Sequence, residues 1–152
     1  MCGVVGIIST QKPVAGELYD SLIHLQHRGQ DAAGIMTYNE RFHIKKGTGL
    51  IRDIFDEHNM LRLQGNVGIG HTRYPTVGGF SIEEAQPVLT HVPYGIAMAH
   101  NGNLVNYTEL AQEVAEKDRR HINSSVDIEV ILHIFAHALD HPGANTDELS
   151  FF

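Results

Sequence analysis

The order of apolar and polar positions changes period several times along the chain, and each change marks an element. Gly3-Val4-Val5-Gly6-Ile7-Ile8 is a short, largely β-branched run bounded by Ser9, Thr10 and Pro13, which predicts a buried strand starting almost at the amino terminus. Over residues 14–27 the apolar positions Val14, Leu18, Leu22 and Leu25 follow helical spacing, with Gly29 as the stop. The period then shortens. Residues 33–38 and 42–46 read as two strands around Asn39-Glu40, and residues 66–74 and 94–99 as two more. Helices resume over residues 107–117 and 126–139, the second carrying a stripe of Ile128, Ile131, Leu132, Phe135 and Leu139. No repeat or linker divides the chain, so the pattern predicts one α+β unit of packed sheet and helix layers. The last residues, Asp147 to Phe152, look like the first turn of a further amphipathic helix, so the natural protein is expected to continue.

Composition narrows the class of function. A chain of 152 residues, 42% hydrophobic and 19% charged, is long enough to bury roughly two-thirds of the surface it exposes when unfolded. Its net charge of -7 with 11 Lys plus Arg lacks the basic excess that phosphate neutralisation requires, so no nucleic-acid partner is expected. The local cluster Lys117, Arg119, Arg120 and His121 reads as a solvated helix end. One cysteine rules out an internal disulfide framework and the thiolates of an iron–sulfur cluster, which suggests a reducing compartment. The opening residues lack a basic flank and a long apolar run, so neither a signal peptide nor a membrane span is expected and a cytoplasmic location is the default.

The single cysteine is Cys2. If Met1 is removed, its thiol and the free α-amine belong to one residue, and an amine titrating at about 7.7 to 8.0 can take the thiol proton and later return it to a leaving group. By position alone a lone cysteine at a strand end is more often a small buried hydrophobe. His100-Asn101-Gly102-Asn103 follows the strand at residues 94–99. The Asn101 amide and the Gly102 N–H can there serve an oxyanion, although Asn-Gly is also the strongest hairpin-turn dipeptide. Arg73 ends another strand, and its fork, with the Thr76 hydroxyl and Asp127, can grip an α-amino acid head group. The alternatives for Arg73 and Asp127 are an internal salt bridge and a helix cap. Gly78-Gly79 beyond Arg73 reads as a closing loop. His27 to Gly34 combines a helix end with small residues, either a tight turn or a wall beside Cys2 with Arg28 and Gly29 as its contacts.

Taken in order, Cys-Gly-Val-Val-Gly-Ile, HRGQDAAGI, GHTRYPT, EAQPV, AHNGNL and RRHINSSVDIE resemble the glutamine-hydrolysing domain of the amidophosphoribosyltransferase family, class II glutamine amidotransferases. A glucosamine-6-phosphate synthase type of domain has Tyr-Arg-Gly-Tyr-Asp and Arg-Trp where this chain has HRGQD and Arg73-Tyr74, which favours the purine branch. The resemblance implies the αββα four-layer sandwich of N-terminal nucleophile hydrolases, incomplete here because the chain would be only the N-terminal part of the type 2 domain. It implies Cys2 as nucleophile and Asn101 and Gly102 as oxyanion donors. Arg28 and Gly29 would line the nucleophile. Arg73 and Thr76 would bind the carboxylate of L-glutamine, Asp127 its amine, and Tyr74 would cover the site. Phosphoribosyl pyrophosphate and Mg²⁺ would belong to a phosphoribosyltransferase domain that is absent, leaving no cofactor or metal in this segment. The full-length enzyme is expected as a homo-oligomer making 5-phosphoribosylamine in purine synthesis. Competing readings are an inactive truncated fragment, another class II amidotransferase, and a His-rich metal module built on His133, His137 and His141 at i, i+4, i+8.

Overall fold

The computed structural model describes residues 1–74, 81–117 and 120–140. Strand β1 (Gly3–Ile8) runs antiparallel to β4 (Val67–Arg73), with Gly3 opposite Thr72 and Ile8 opposite Val67. A hairpin of β2 (Ala32–Asn39) and β3 (Arg41–Thr48) turns at Glu40, which takes a φ of 58°. β2 lies on the other side of β4, giving the order β1-β4-β2-β3. The central strand therefore carries the two ends that matter later: the start of β1 and the start of β2 both lie beside Arg73.

Helix α1 (Ala15–Leu25) covers one face of this sheet. Val14, Leu18 and Leu22 are fully buried and meet Ala33 and Ile35 of β2. The helix ends two residues before its apolar spacing predicts and starts one later. Gln26–Arg28 tightens into a 3-10 turn, with Gly29 N–H donating to the Gln26 carbonyl at 3.0 Å. Two short helices that the sequence pattern leaves unassigned, α2 (Ile51–Ile54) and α3 (Glu57–Arg62), complete this layer. They place Ile51, Ile54 and Phe55 in the same core, and Asp56 caps α3 by accepting from Asn59 N–H at 2.8 Å.

Against the other face lies a two-stranded sheet of β5 (Val88–Thr90) and β6 (Ile96–Met98), backed by α5 (Asp127–Asp140), which packs on α4 (Tyr107–Lys117). Helix, sheet, sheet and helix thus follow one another. Sequence spacing predicts a longer β6, over residues 94–99, but only its middle pairs. Strand β1 also departs from expectation: its residues alternate between covered and exposed, and Ile8 is 80% exposed. The reason is the small second sheet, which shields little of the inner face. The same shortage reaches α5. Ile128 and Leu132 pack on Val88, with Ile96 and Met98 alongside, whereas Phe135 and Leu139 of the predicted stripe stay partly exposed. A 14-residue helix is about 21 Å long, and three-residue strands cover only about 10 Å of it.

Candidate active site

Cys2 stands at the mouth between the two sheets, half-buried, where the start of β1 meets the loop after β6. Its backbone carbonyl accepts from Arg28 Nε at 3.0 Å and from Asn101 Nδ2 at 3.0 Å. Its Sγ lies 3.8 Å from the Tyr74 carbonyl. The next residue is fixed as well, since Gly3 N–H donates to Thr72 Oγ1 at 3.2 Å. Arg28 comes from the 3-10 turn after α1, and Gly29 explains how that turn gets so close. A Cβ on Gly29 would sit 2.6 Å from the Arg73 backbone carbon, so only a residue without one lets the turn lie against the end of β4.

Asn101 spans two neighbours. While Nδ2 reaches Cys2, Oδ1 lies 3.1 Å from His71 Nε2. His71 is completely buried on β4, and burial pushes its pKa down to about 4 against a raising effect of the Asn101 hydrogen bond. The amide nitrogen carries two hydrogens, so the bond to the Cys2 carbonyl uses one of them. Gly102 packs so closely against the His100 ring that a Cβ would fall 2.3 Å from Nε2. The Asn101-Gly102 pair is not a hairpin turn, because the chain runs on from it to α4 rather than into a strand. His100 is itself tethered, its N–H donating to Gln86 Oε1 at 2.7 Å.

Arg73 and Asp127 make the internal contacts that were one of the two readings for each. Arg73 Nη1 donates to the Glu84 carbonyl at 2.6 Å and Nη2 pairs with Glu84 Oε2 at 2.9 Å. Asp127 Oδ2 accepts from Leu104 N–H at 2.9 Å, and Oδ1 lies 3.5 Å from His100 Nδ1. Glu84 also accepts from Ser125 Oγ, two residues before Asp127. One buried carboxylate therefore ties the arginine at the end of β4 to the loop that opens α5. Tyr74 is exposed beside Cys2. Thr76 and Gly78-Gly79 lie outside the described residues.

A glutamine amidotransferase domain family matches residues 55–141, more than half of the 152. The chain belongs to the glutamine amidotransferase domain family. Amidophosphoribosyltransferase of Pasteurella multocida is 53% identical over 93% of this chain and 28% of its own length. That of Escherichia coli is 54% identical over 92% of this chain and, again, 28% of its own length. The glutamine phosphoribosylpyrophosphate amidotransferase of B. subtilis, complexed with ADP and GMP, superposes with a TM-score of 0.76 at 37% identity, covering 88% of this chain and 28% of that one. The chain thus spans little more than a quarter of these relatives. As an amidotransferase domain it has the α+β, N-terminal nucleophile architecture of those neighbours.

Sequence reasoning missed three members of this candidate site. His71 lies two positions before Arg73, and the alternation of strand side chains puts both on one face, a signal that was available. Glu84 and Gln86 sit in the EAQPV segment but take part through contacts with Arg73 and His100, distant in sequence, that no spacing reveals. Among the described residues no three His, Cys, Asp or Glu side chains gather as a metal site. His133 instead adjoins Arg120, 3.5 Å away, and Glu129 at 4.0 Å, and His141 lies outside the described residues. No described helix is long and apolar enough to cross a membrane.

Proposed function

We propose that this chain is the glutamine-hydrolysing part of an amidophosphoribosyltransferase, acting in the cytoplasm, with Cys2 as nucleophile once Met1 is removed. The observation that carries the reading is the double grip of Arg28 and Asn101 on the Cys2 carbonyl. It holds a half-buried thiol next to an amide donor at a place where Met1 is 81% exposed and open to removal. The freed α-amine takes the thiol proton. The thiolate then attacks the side-chain amide carbon of glutamine, forming a C–S bond and moving the carbonyl electron pair onto oxygen. Asn101 Nδ2 and the Gly102 N–H stabilise that oxyanion, a contribution of about 100- to 1000-fold in rate for one such donor. Collapse breaks the C–N bond, the ammonium returns its proton to nitrogen, and ammonia leaves. Water cleaves the thioester to glutamate and regenerates the thiol.

Arg73, steadied by Glu84 and joined by Thr76, is the partner for the substrate carboxylate, and Asp127 that for its ammonium. Arg28 and Gly29 wall the nucleophile, and Tyr74 lies over it. In the whole enzyme ammonia forms a bond to C1 of phosphoribosyl pyrophosphate as pyrophosphate leaves with its electron pair, giving 5-phosphoribosylamine. The Mg²⁺ of that second reaction belongs with the phosphoribosyltransferase domain.

The test is intact mass before and after 6-diazo-5-oxonorleucine, a reactive glutamine analogue, with ammonia release measured in parallel. Loss of Met1 and a single adduct on Cys2 are expected, and Cys2→Ala should abolish both adduct and ammonia. Retention of Met1, or labelling elsewhere, would sink the mechanism.

A further inference from the structure

His71 is a fully buried, strongly perturbed histidine that the mechanism above does not use. Its Nε2 lies 3.1 Å from Asn101 Oδ1, and the same amide places Nδ2 3.0 Å from the Cys2 carbonyl. The chemistry of these groups fixes the hydrogens. A backbone carbonyl can only accept, so the face of the amide turned to Cys2 must be its NH2. Its oxygen must then face His71, and that contact is a hydrogen bond only if Nε2 carries the proton. Turned over, the amide would set oxygen against oxygen at Cys2 and N–H against N–H at His71.

We propose that His71, protonated at Nε2, is a positioning residue that holds the Asn101 amide with its NH2 toward Cys2, where the oxyanion forms. The proposal rests on the glutaminase reading for its consequence, though not for its geometry. Burial keeps the ring neutral, outweighing the raising effect of its hydrogen bonds to Asn101 and to the His100 backbone, and the charges of Arg73 and His100 act in the same direction as burial. The ring is thereby a fixed donor that does not switch state near neutral pH. The strand supplies the rigidity: His71 pairs in register with Val4 on β1 and Gly34 on β2, so the donor is set by backbone hydrogen bonds on both sides.

Two measurements decide it. The first is ¹⁵N NMR of imidazole-labelled 152-residue chain, with the His71 signal assigned by its loss in His71→Gln. A proton on Nε2 is expected, and the Nδ1–H tautomer would overturn the proposal whether or not the chain is active. The second is a kinetic cycle. His71→Phe should lower kcat for glutamine hydrolysis about 10- to 100-fold, less than outright removal of a donor, with KM changed less than about 3-fold. His71→Gln, whose amide can still donate to Asn101, should recover most of the loss. In an Asn101→Ala background His71→Phe should add less than about 2-fold. Full multiplication of the two losses would show that His71 acts independently of Asn101 and would overturn the proposal. Should His71→Phe fail to melt cooperatively, the tautomer and His71→Gln still decide. A parent chain that hydrolyses no glutamine and takes no label on Cys2 would instead remove the glutaminase reading.

Discussion

Cys2 is positioned through its carbonyl rather than through its thiol, and this has a bearing on how far single residues can be changed. Arg28 and Asn101 converge on one oxygen from elements far apart in sequence, so loss of either leaves the other still holding the Cys2 carbonyl. His71 stands one step further from Cys2, bonded to Asn101 and to the His100 backbone. Its pKa of about 4 in the folded chain against 6.5 for an ordinary histidine makes a prediction with a definite sign. Between those values the unfolded chain binds a proton that the folded chain refuses, so stability falls as pH drops from 6.5 toward 4, by at most about 1.4 kcal/mol per pH unit. Above 6.5 the residue contributes no pH dependence. Urea unfolding at pH 7.5 and 5 should show this loss in the parent chain and a smaller one in His71→Gln. An equal loss in both would contradict the assignment. At this scale the sequence shows which residues are chemically able, and it shows Cys2, Arg28, Arg73, Asn101 and Asp127 in that sense. What it hides is pairing: that Arg73 meets Glu84, or that Asn101 lies between Cys2 and His71, depends on approaches made only when the two sheets close.

Most elements long enough to express a period were legible, six-residue α3 being the exception and three-residue β6 being read only as part of a longer apolar run. β1, the β2–β3 hairpin, α1, α4 and α5 each run six residues or more, which is enough for alternation or for a helical stripe. Four-residue α2 and three-residue β5 are too short to show a period, and they exist because neighbours pack on them. The loop before α5 is held in a third way, by side chain. Glu129 accepts from Asn123 N–H at 2.8 Å, Asn123 Nδ2 at 3.1 Å, Ser124 N–H at 2.8 Å and Ser124 Oγ. Burial pushes this carboxyl up, but the hydrogen bonds from Ser124 and Asn123 outweigh it and leave its pKa below the usual value of 4.5. The carboxylate fixes the segment that carries Ser125 to Glu84 and leads into Asp127. Glu129→Gln exchanges charge-assisted bonds for weaker ones and should cost about 1.5–3 kcal/mol at pH 7, which is several degrees in Tm. A depressed carboxyl contributes its stability above its unfolded pKa and loses it as pH falls through the folded one. The gap between Glu129→Gln and the parent chain should therefore narrow below pH 4.5, and thermal melts at pH 7 and 3.5 that show a constant gap would rule this out.

At the scale of the whole molecule, the sandwich is unequal: a four-stranded sheet faces a two-stranded one. The register of β1, β4, β2 and β3 puts Val4, Ile8, Val67, Tyr38 and Ile44 on the face that a second sheet should cover, and all five are exposed. The likeness of the motifs to a longer domain leads one to expect such an uncovered surface. The consequence is physical whatever the natural length of the chain. Contiguous apolar surface left in water forgoes about 25 cal/mol per Å² and recruits whatever apolar partner is present. The 152-residue chain should therefore bind a hydrophobic dye such as 8-anilinonaphthalene-1-sulfonate in its folded state and self-associate as concentration rises. Ile8 is the place to test this, because it is the most exposed of the five and pairs only with Val67 on β4. Ile8→Thr keeps a β-branched residue that suits a strand, so Tm should move little, within about 0.5 kcal/mol, while dye fluorescence and self-association fall. A chain extended toward the length of the relatives should lose the dye signal without any substitution and melt at a higher temperature. Unchanged dye binding in both would mean that the surface recognised by the dye lies elsewhere, and a monomeric parent chain that binds no dye would show that these five side chains do not form one patch.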